Sequence, residues 1–445
     1  PAWSKTPPLR RARILDRFKA ILWERANQLA EAISLEHGKT HDDAVGEVTR
    51  GLEVVEFAVG APHLLKGEMS EDVGTGVDTN SIRQSIGVVA GITPFNFPAM
   101  VPMWMFPVAL ACGNTFILKP SERDPSASLL IADWLAEAGL PEGVFNVVQG
   151  DKEAVDALLH SPDVKGISFV GSTPIAKYIY ETGTANGKRV QALGGAKNHM
   201  VVMPDADLDM AANALMGAAY GSAGERCMAI SVAVPVTDAV ADALIAKLVP
   251  KIEALKVGPA ADKASDIGPV VTDAAMNKIK GLIDQGEKEG AKVVVDGRGF
   301  KAQQGYENGY FVGPNLLDNV TPDMIVWREE IFGPVLSVVR RKDWGAAAKW
   351  IYAMGNENRV GVITREGDTS RGLAKRSEVG MVGINVLIPV PMAFHSFGGW
   401  KQSLFGDHHM HGMEGIRFYT RLKAVTTRWP SGARTDPEFV MPTLG

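Results

Sequence analysis

Cys227 stands in the stretch GSAGERCMA (221–229), directly after an arginine and just past two glycines. A thiol in an accessible, glycine-rich backbone beside positive charge has the makings of a nucleophile, because the thiolate is the reactive form. A lone cysteine is also commonly a small buried hydrophobe, and Cys112, inside an uncharged run, reads that way. Asn96, in GITPFNFPAM, sits among aromatics and prolines. Its amide either caps backbone or donates to a developing oxyanion. Lys119 and Glu122, in ILKPSERDP, leave a strand at the edge where open α/β sheets gather ligands. They suit ribose hydroxyls or, more plainly, a solvated loop. Ser172 or Thr173, in SFVGSTPIAKYI, caps a helix with Pro174 in its first turn, and the free N–H groups of such an end bind phosphate. Glu329 and Glu330, in REEIFGPVLSVV, precede an apolar turn and read alone as helix-end surface acids. His408, His409 and His411 have no neighbours at ligand spacing, so no metal is predicted.

These residues need a scaffold. Apolar positions recur at helical spacing over 9–36 and 42–60. The polar, alternating stretch 68–86 suits a surface hairpin. From 86 to 202 short apolar strands alternate with helices, the pattern of a parallel, doubly wound sheet. A second α/β run follows, with helices over 238–255 and 273–289, and a strand near 423–430 leads into a tail. Residues 97–118 carry no charge over a membrane-spanning length, but Pro98, Pro102, Pro107 and the break at Gly113-Asn114 predict a buried helix followed by a buried strand.

The chain has 445 residues, 46% hydrophobic and 22% charged, enough for two or three domains. A net charge of −5 argues against a nucleic-acid surface, so anionic ligands must be held by local groups. Two cysteines 115 positions apart predict no disulfide framework; a reducing, cytoplasmic compartment fits. The chain begins at Pro1 with what reads as a loop entering a helix, and a preceding segment is expected.

The stretches TPFNFP, LKPSE, FVGST, GERC, EEIFGPV and FGGWK occur in that order, widely spaced. Together they give the chain a form that resembles the NAD(P)-dependent aldehyde dehydrogenase superfamily over nearly its whole length. The resemblance implies an α/β fold with a Rossmann-type doubly wound cofactor domain (1–67 and 87–196), an α/β catalytic domain (197–405), a helix returning to the cofactor domain (406–422), and a small β oligomerisation arm with a tail (68–86 and 423–445). It implies Cys227 as nucleophile, with the Asn96 amide and the Cys227 N–H as oxyanion donors. Lys119 and Glu122 would hold the adenosine ribose, with Arg123 beside them. Gly171 and Ser172 would meet the pyrophosphate. Glu330 would hold the nicotinamide ribose, and Phe332, with Thr93 and Phe95, would line the ring. Glu122 favours NAD over NADP by repelling a 2′-phosphate. Open arm edges would pair with a second subunit, so a homodimer or homotetramer is expected, with no membrane partner.

One departure narrows the chemistry. Hydrolytic members of the family place a glutamate in an ELGG stretch to activate water against the thioester; here the stretch is VQALGGAKNH (190–199), with Ala192 at that position. General-base help is worth about 10²–10⁴-fold, so water attack should be slow, whereas a thiol needs less help. Coenzyme A is therefore the expected acceptor. GGAKNH, GERCMA, RGLEVVEFA, GYENGYFVGP and IPVPM resemble the CoA-acylating methylmalonate/malonate semialdehyde dehydrogenase branch. That branch oxidises a semialdehyde bearing a carboxylate, with loss of CO2, and Arg226 and Arg50 are the expected clamp for the carboxylate. The alternatives are a hydrolytic aldehyde dehydrogenase using another base, Glu225, a cysteine acyltransferase, or a non-catalytic homologue. Residues 352–367 look shortened relative to the family.

Overall fold

A computed structural model describes residues 2–351, 356–386 and 388–429. Two sheets organise the molecule. The first has six strands in the order Leu404–Phe405, Arg189–Leu193, Val164–Val170, Val88–Ile92, Thr115–Lys119 and Phe145–Val147. All pair in parallel except Leu404–Phe405, which runs antiparallel to Arg189–Leu193. Strand order reverses about Val88–Ile92, so a ligand crevice is expected outside the carboxyl ends of that strand and of Val164–Val170. Thr93, Phe95 and Asn96 follow the one, and Gly171 and Ser172 follow the other.

The second sheet has seven strands in the order Lys292–Val295, Asn315–Asp318, Val335–Val338, Ile230–Pro235, Asn198–Val202, Arg359–Ile363 and Met381–Ile384. Only its first pair is antiparallel. The chain crosses from the first sheet to the second in one short run, 194–197. A third, antiparallel sheet joins Met69–Gly74, Val77–Ser85 and Thr420–Arg428, with unbroken register from Thr420 opposite Ser85 to Arg428 opposite Val77. This is the expected hairpin and late strand, the latter beginning three residues earlier than predicted. Residues 430–445 of the tail, and 352–355 of the shortened stretch, lie outside the described residues.

The uncharged run folds as the buried helix Met100–Ala111 and the strand Thr115–Lys119. Gly113 (φ +89°) makes the turn between them. Asn114 closes it: its Oδ1 accepts from the N–H groups of Ile86 and Gly87, and its Nδ2 donates to the carbonyls of Ala109 and Tyr419. No helix among the described residues is long and apolar enough to cross a membrane. Helix His41–Val59 packs against Met100–Ala111 so closely that a Cβ at Gly51 would lie 2.2 Å from Met103 Cε. Its core face carries Ala44, Val48, Leu52 and Val55, while Asp43, Gly46, Glu47 and Arg50, at helical spacing, face a cavity.

The strands Asn315–Asp318 and Arg359–Ile363 carry no clear signal in the sequence. The first is a four-residue segment; the second opens on a buried arginine that breaks the apolar pattern.

Candidate active site

Cys227 lies where two cavities of about 210 Å³ each meet. The outer one is mostly apolar, walled by Phe97, Met100, Trp104, Ile388 and Val390, and both predicted arginines, Arg226 and Arg50, reach it. Neither guanidinium is idle. Arg226 donates to Asp43 Oδ1, and its second contact, to Gly217 O, is long at 3.4 Å. Arg50 pairs with Glu53 at 2.5 Å and donates to the carbonyls of Pro391 at 2.9 Å and Val390 at 3.2 Å, tying the outer loop to its helix. The inner cavity gathers Phe95, Asn96, Gly171, Ser172, Gly195, Lys278, Glu330 and Phe332 around the same sulfur.

The nucleophile loop is built by left-handed backbone. Ser222, Ala223 and Gly224 have φ of 52°, 53° and 75°. A Cβ at Gly224 would lie 2.0 Å from Gly333 O, so a glycine is required where this loop touches the one carrying Glu330 and Phe332. Phe332 itself is left-handed at φ 56°, with its ring 6.0 Å edge-on from that of Phe95.

The thiol is held in its neutral form. Loss of water pushes Cys227 up to about 12, the nearby Glu330 carboxylate pushes the same way, and Arg359 opposes. This corrects the expectation that Arg226 favours the thiolate: Arg226 is spent on Asp43, and the cation acting on the sulfur is Arg359, buried at the start of a strand and donating to Met228 O. The carbonyls beside the thiol are also held, Cys227 O by Asn198 Nδ2 at 2.8 Å and Ala229 O by the same amide at 2.9 Å.

Asn96 is buried, and one N–H of its amide donates to Glu225 O at 2.9 Å. The second remains for the inner cavity it lines. Behind it sits an ion pair with no exposed side-chain surface. Lys39 Nζ lies 2.7 Å from Glu47 Oε2, donates to Asn96 O at 2.6 Å and hovers 4.3 Å over the Phe97 ring. Glu47 Oε1 in turn accepts the N–H groups of Ala99 and Met100, the orphan donors of helix Met100–Ala111. Sequence reading missed this pair, since a lysine in HGKTHDD and a glutamate on a helix both look like surface residues.

Glu225 does not serve as the base of the hydrolytic alternative. Its Oε1 accepts from Val271 N at 3.2 Å, its Oε2 faces His37 at 4.0 Å, and it lines neither cavity. Burial raises it to about 8. Ala192 is wholly enclosed at the end of a central strand, beside Phe405 and Phe169 of its neighbours.

On the cofactor edge, Lys119 and Glu122 meet each other at 3.0 Å. The Thr93 N–H is fixed on Lys119 O at 3.1 Å, while its buried hydroxyl has no partner. Arg123 donates its N–H to Ser121 Oγ. Ser172 occupies the N-cap position of helix Thr173–Ala185, but its side chain makes no capping bond, and Thr173 Oγ1 instead accepts the Gly195 N–H at 2.9 Å. The expected side-chain cap is therefore absent, and the first N–H groups of the helix stay open to the crevice. Glu330 is half-buried, accepts the Ala196 N–H at 3.0 Å, and is raised by desolvation. A Cβ at Gly195 would lie 2.4 Å from its Oε2.

The chain matches the aldehyde dehydrogenase family over residues 1–425. It belongs to that family. It is 61% identical over 445 residues to the malonate-semialdehyde dehydrogenase of Pseudomonas aeruginosa, covering 100% of this chain and 89% of that one. It is 51% identical over 427 residues to malonate-semialdehyde dehydrogenase 2 of Geobacillus kaustophilus, covering 96% and 88%. Among solved structures it resembles a Sinorhizobium meliloti protein assigned as methylmalonate-semialdehyde dehydrogenase and complexed with NAD, with a TM-score of 0.96 and 59% identity over 97% of this chain and 88% of that one. The methylmalonate-semialdehyde dehydrogenase of Oceanimonas doudoroffii is similar at a TM-score of 0.96 and 58% identity, with the same coverage. The chain is thus an enzyme of the aldehyde dehydrogenase fold.

Proposed function

We propose that this aldehyde dehydrogenase carries out the NAD-dependent, CoA-acylating oxidation of malonate semialdehyde or methylmalonate semialdehyde, with loss of CO2, giving acetyl-CoA or propionyl-CoA. The observation that carries the proposal is Cys227 at the meeting of two cavities, one bearing two arginines and the other bearing Glu330, Phe332 and an open helix start.

The residues of the inner cavity fit a dinucleotide. The orphaned Thr93 hydroxyl, the uncapped N–H groups after Ser172 and the glycine beside Glu330 are each features a bound polar ligand would use. Gly171 and Ser172 would take the pyrophosphate, Lys119 and Glu122 the adenosine ribose with Arg123 beside them, and Glu330 the nicotinamide ribose. Glu122, already held by Lys119, favours NAD over its 2′-phosphorylated form. NAD, when bound, supplies the acceptor that takes two electrons and the aldehyde hydrogen from the substrate.

The chain does the rest. The fraction of Cys227 that has given its proton to solvent attacks the aldehyde carbon as thiolate, and the new oxyanion takes a bond from the free N–H of Asn96 and one from the Cys227 N–H. Arg226 and Arg50 hold the distal carboxylate, Arg226 by turning from Asp43. Oxidation leaves a thioester on Cys227. The carboxylate β to its carbonyl then departs as CO2, its electron pair flowing toward the oxygen held by Asn96 before the carbon is protonated. The CoA thiolate adds to the thioester carbonyl and expels the Cys227 thiolate, so no water is consumed. The arm, whose faces expose Met69, Ile82, Leu422 and Trp429, would pair subunits into a dimer or tetramer.

The test is product analysis with each semialdehyde and NAD, with and without CoA. Acyl-CoA formation, and about one equivalent of NADH per active site without CoA, support the reading. Equal steady-state rates with free acid as product would overturn it.

A further inference from the structure

The 194–197 crossing between sheets ends in two side chains that the chemistry above does not use. Lys197 is fully buried and has no carboxylate within bonding distance among the described residues. Its Nζ donates to Val326 O at 2.8 Å and Glu329 O at 2.7 Å. These carbonyls sit around the short helix Ile325–Arg328, which delivers Glu330 to the inner cavity. Burying an ammonium on carbonyls alone is unfavourable, so its retention calls for a role beyond filling space. The next residue, Asn198, reaches the opposite way, and its Nδ2 holds Cys227 O and Ala229 O. Just before them, Ala196 N–H bonds Glu330 Oε1 and Gly195 N–H bonds Thr173 Oγ1 at the start of the phosphate-facing helix. Four consecutive residues, 195–198, therefore touch the nucleophile loop, the Glu330 loop and the helix start.

We infer that Lys197 and Asn198 are positioning residues: Lys197 holds the Glu330 loop and keeps Glu330 a carboxylate facing the cofactor cavity, Asn198 holds the nucleophile loop, and their adjacency sets the thiol in register with Glu330. The inference rests on the reading of Glu330 as a cofactor contact given above. The charges around Glu330 fit it. Burial raises the Glu330 carboxyl, while the Ala196 N–H, Lys197, and Lys278 from helix Asp273–Lys288 bring it down; Lys278 also donates to Glu330 O at 3.1 Å. The Cys227 thiol, lining the same cavity, also interacts with it. Conversely, burial lowers Lys197 to about 7, with Glu330 and then Glu329 opposing.

Two measurements that need no aldehyde separate the halves: the NAD dissociation constant by calorimetry between about pH 6 and about pH 8.5, and the rate of Cys227 alkylation by iodoacetamide without cofactor. Lys197→Met should weaken NAD on the order of tenfold, the worth of a charge-assisted bond. The loss should deepen as pH falls, because an uncompensated Glu330 takes a proton at higher pH than in the wild type and only its carboxylate accepts ribose hydroxyls. Alkylation should not slow. Lys197→Gln, which keeps an N–H donor for the carbonyls, should show the same pH trend with near wild-type affinity at the alkaline end, and it serves if the methionine variant does not fold. Asn198→Leu should slow alkylation on the order of tenfold and leave NAD affinity unchanged. Wild-type affinity in both Lys197 variants, an equal loss at every pH, or an Asn198 variant that alters NAD binding and not the thiol would overturn the inference. Glu330→Gln with wild-type NAD affinity would instead sink the cofactor reading of the site.

Discussion

Lys39→Met tests whether the buried pair behind Asn96 serves the reaction or only the fold. The substitution removes the 2.7 Å contact with Glu47, the 2.6 Å bond to Asn96 O and the cation over Phe97. Glu47, only 2% exposed, keeps its bonds from Ala99 and Met100 but loses its countercharge. Breaking one side of a buried pair costs about 3–5 kcal/mol. Adding Glu47→Gln removes the stranded charge while leaving a carbonyl for the Ala99 N–H, so the double variant should recover on the order of 2 kcal/mol or more, a coupling well above the scatter between independent sites. Activity should not recover with it. Asn96 O lacks its donor in both variants, and a slackened amide loses part of the ~10²–10³-fold that one oxyanion donor supplies. The assays are denaturant midpoints at constant slope for the four proteins of the cycle, and kcat for each. Equal instability of single and double variants would refute the pairing. A kcat that returns together with stability would show that Lys39 acts through the fold alone.

The other expectations concern the thiol and its walls. With the thiol near 12, iodoacetamide alkylation of Cys227 should quicken by about tenfold per pH unit from about pH 7 to about pH 10, since the thiolate fraction grows in that proportion below the pKa; a plateau below about pH 8 would contradict it. Arg226→Gln should lower kcat/KM for malonate semialdehyde by roughly 10–10²-fold, the worth of a charge-assisted bond, and leave propanal nearly unaffected. Equal losses on both aldehydes would remove Arg226 from carboxylate recognition. Gly224→Ala places a Cβ 2.0 Å from Gly333 O in left-handed backbone, so the nucleophile and Glu330 loops must part; kcat should fall by about 10²-fold with little change in secondary structure by circular dichroism, and a variant of wild-type kcat would show that the contact is soft.

Parts of this site could be read from the chain alone because they are punctuated. Asn96 and Ser172 follow the carboxyl ends of strands in glycine- and proline-marked turns, where an α/β sheet presents its ligand edge, and Cys227 follows the glycines that end helix Leu208–Tyr220 ahead of strand Ile230–Pro235. The uncharged run at 97–118 yielded to its prolines and to Gly113 in the same way. The residues that sequence could not reveal are charges that tertiary packing has removed from water. Lys39, Glu47, Lys197 and Arg359 have the local patterns of surface residues, and only the folded packing, which encloses them, gives each its partner. Arg359 also hid its own strand. The residue type of Thr173 suits a helix cap, but the crossing segment recruits its hydroxyl instead, a competition that local sequence does not display.

The fate of the acyl group follows from the carboxylates already in place. Among the described residues three line the two cavities around Cys227: Asp43, Glu47 and Glu330. Asp43 is paired with Arg226, and Glu47 spends both oxygens on Lys39 and on two helix N–H groups. Glu330 accepts from Ala196 and lies on the cofactor side, where the ribose it is proposed to hold would occupy it. Once CO2 has left and Arg226 has returned to Asp43, a water entering beside the thioester would meet only carboxylates already engaged by a cation or by N–H groups. Ala192, the position from which a glutamate would act, is packed among Phe169 and Phe405 at zero exposure, so its loss is not made good by a neighbour that swings in. A thiol acceptor escapes this constraint, because it carries a fraction of its own thiolate at neutral pH and needs no base at the moment of attack. The arrangement that makes hydrolysis slow therefore favours a thiol as acceptor, which is what the proposed transfer to CoA requires.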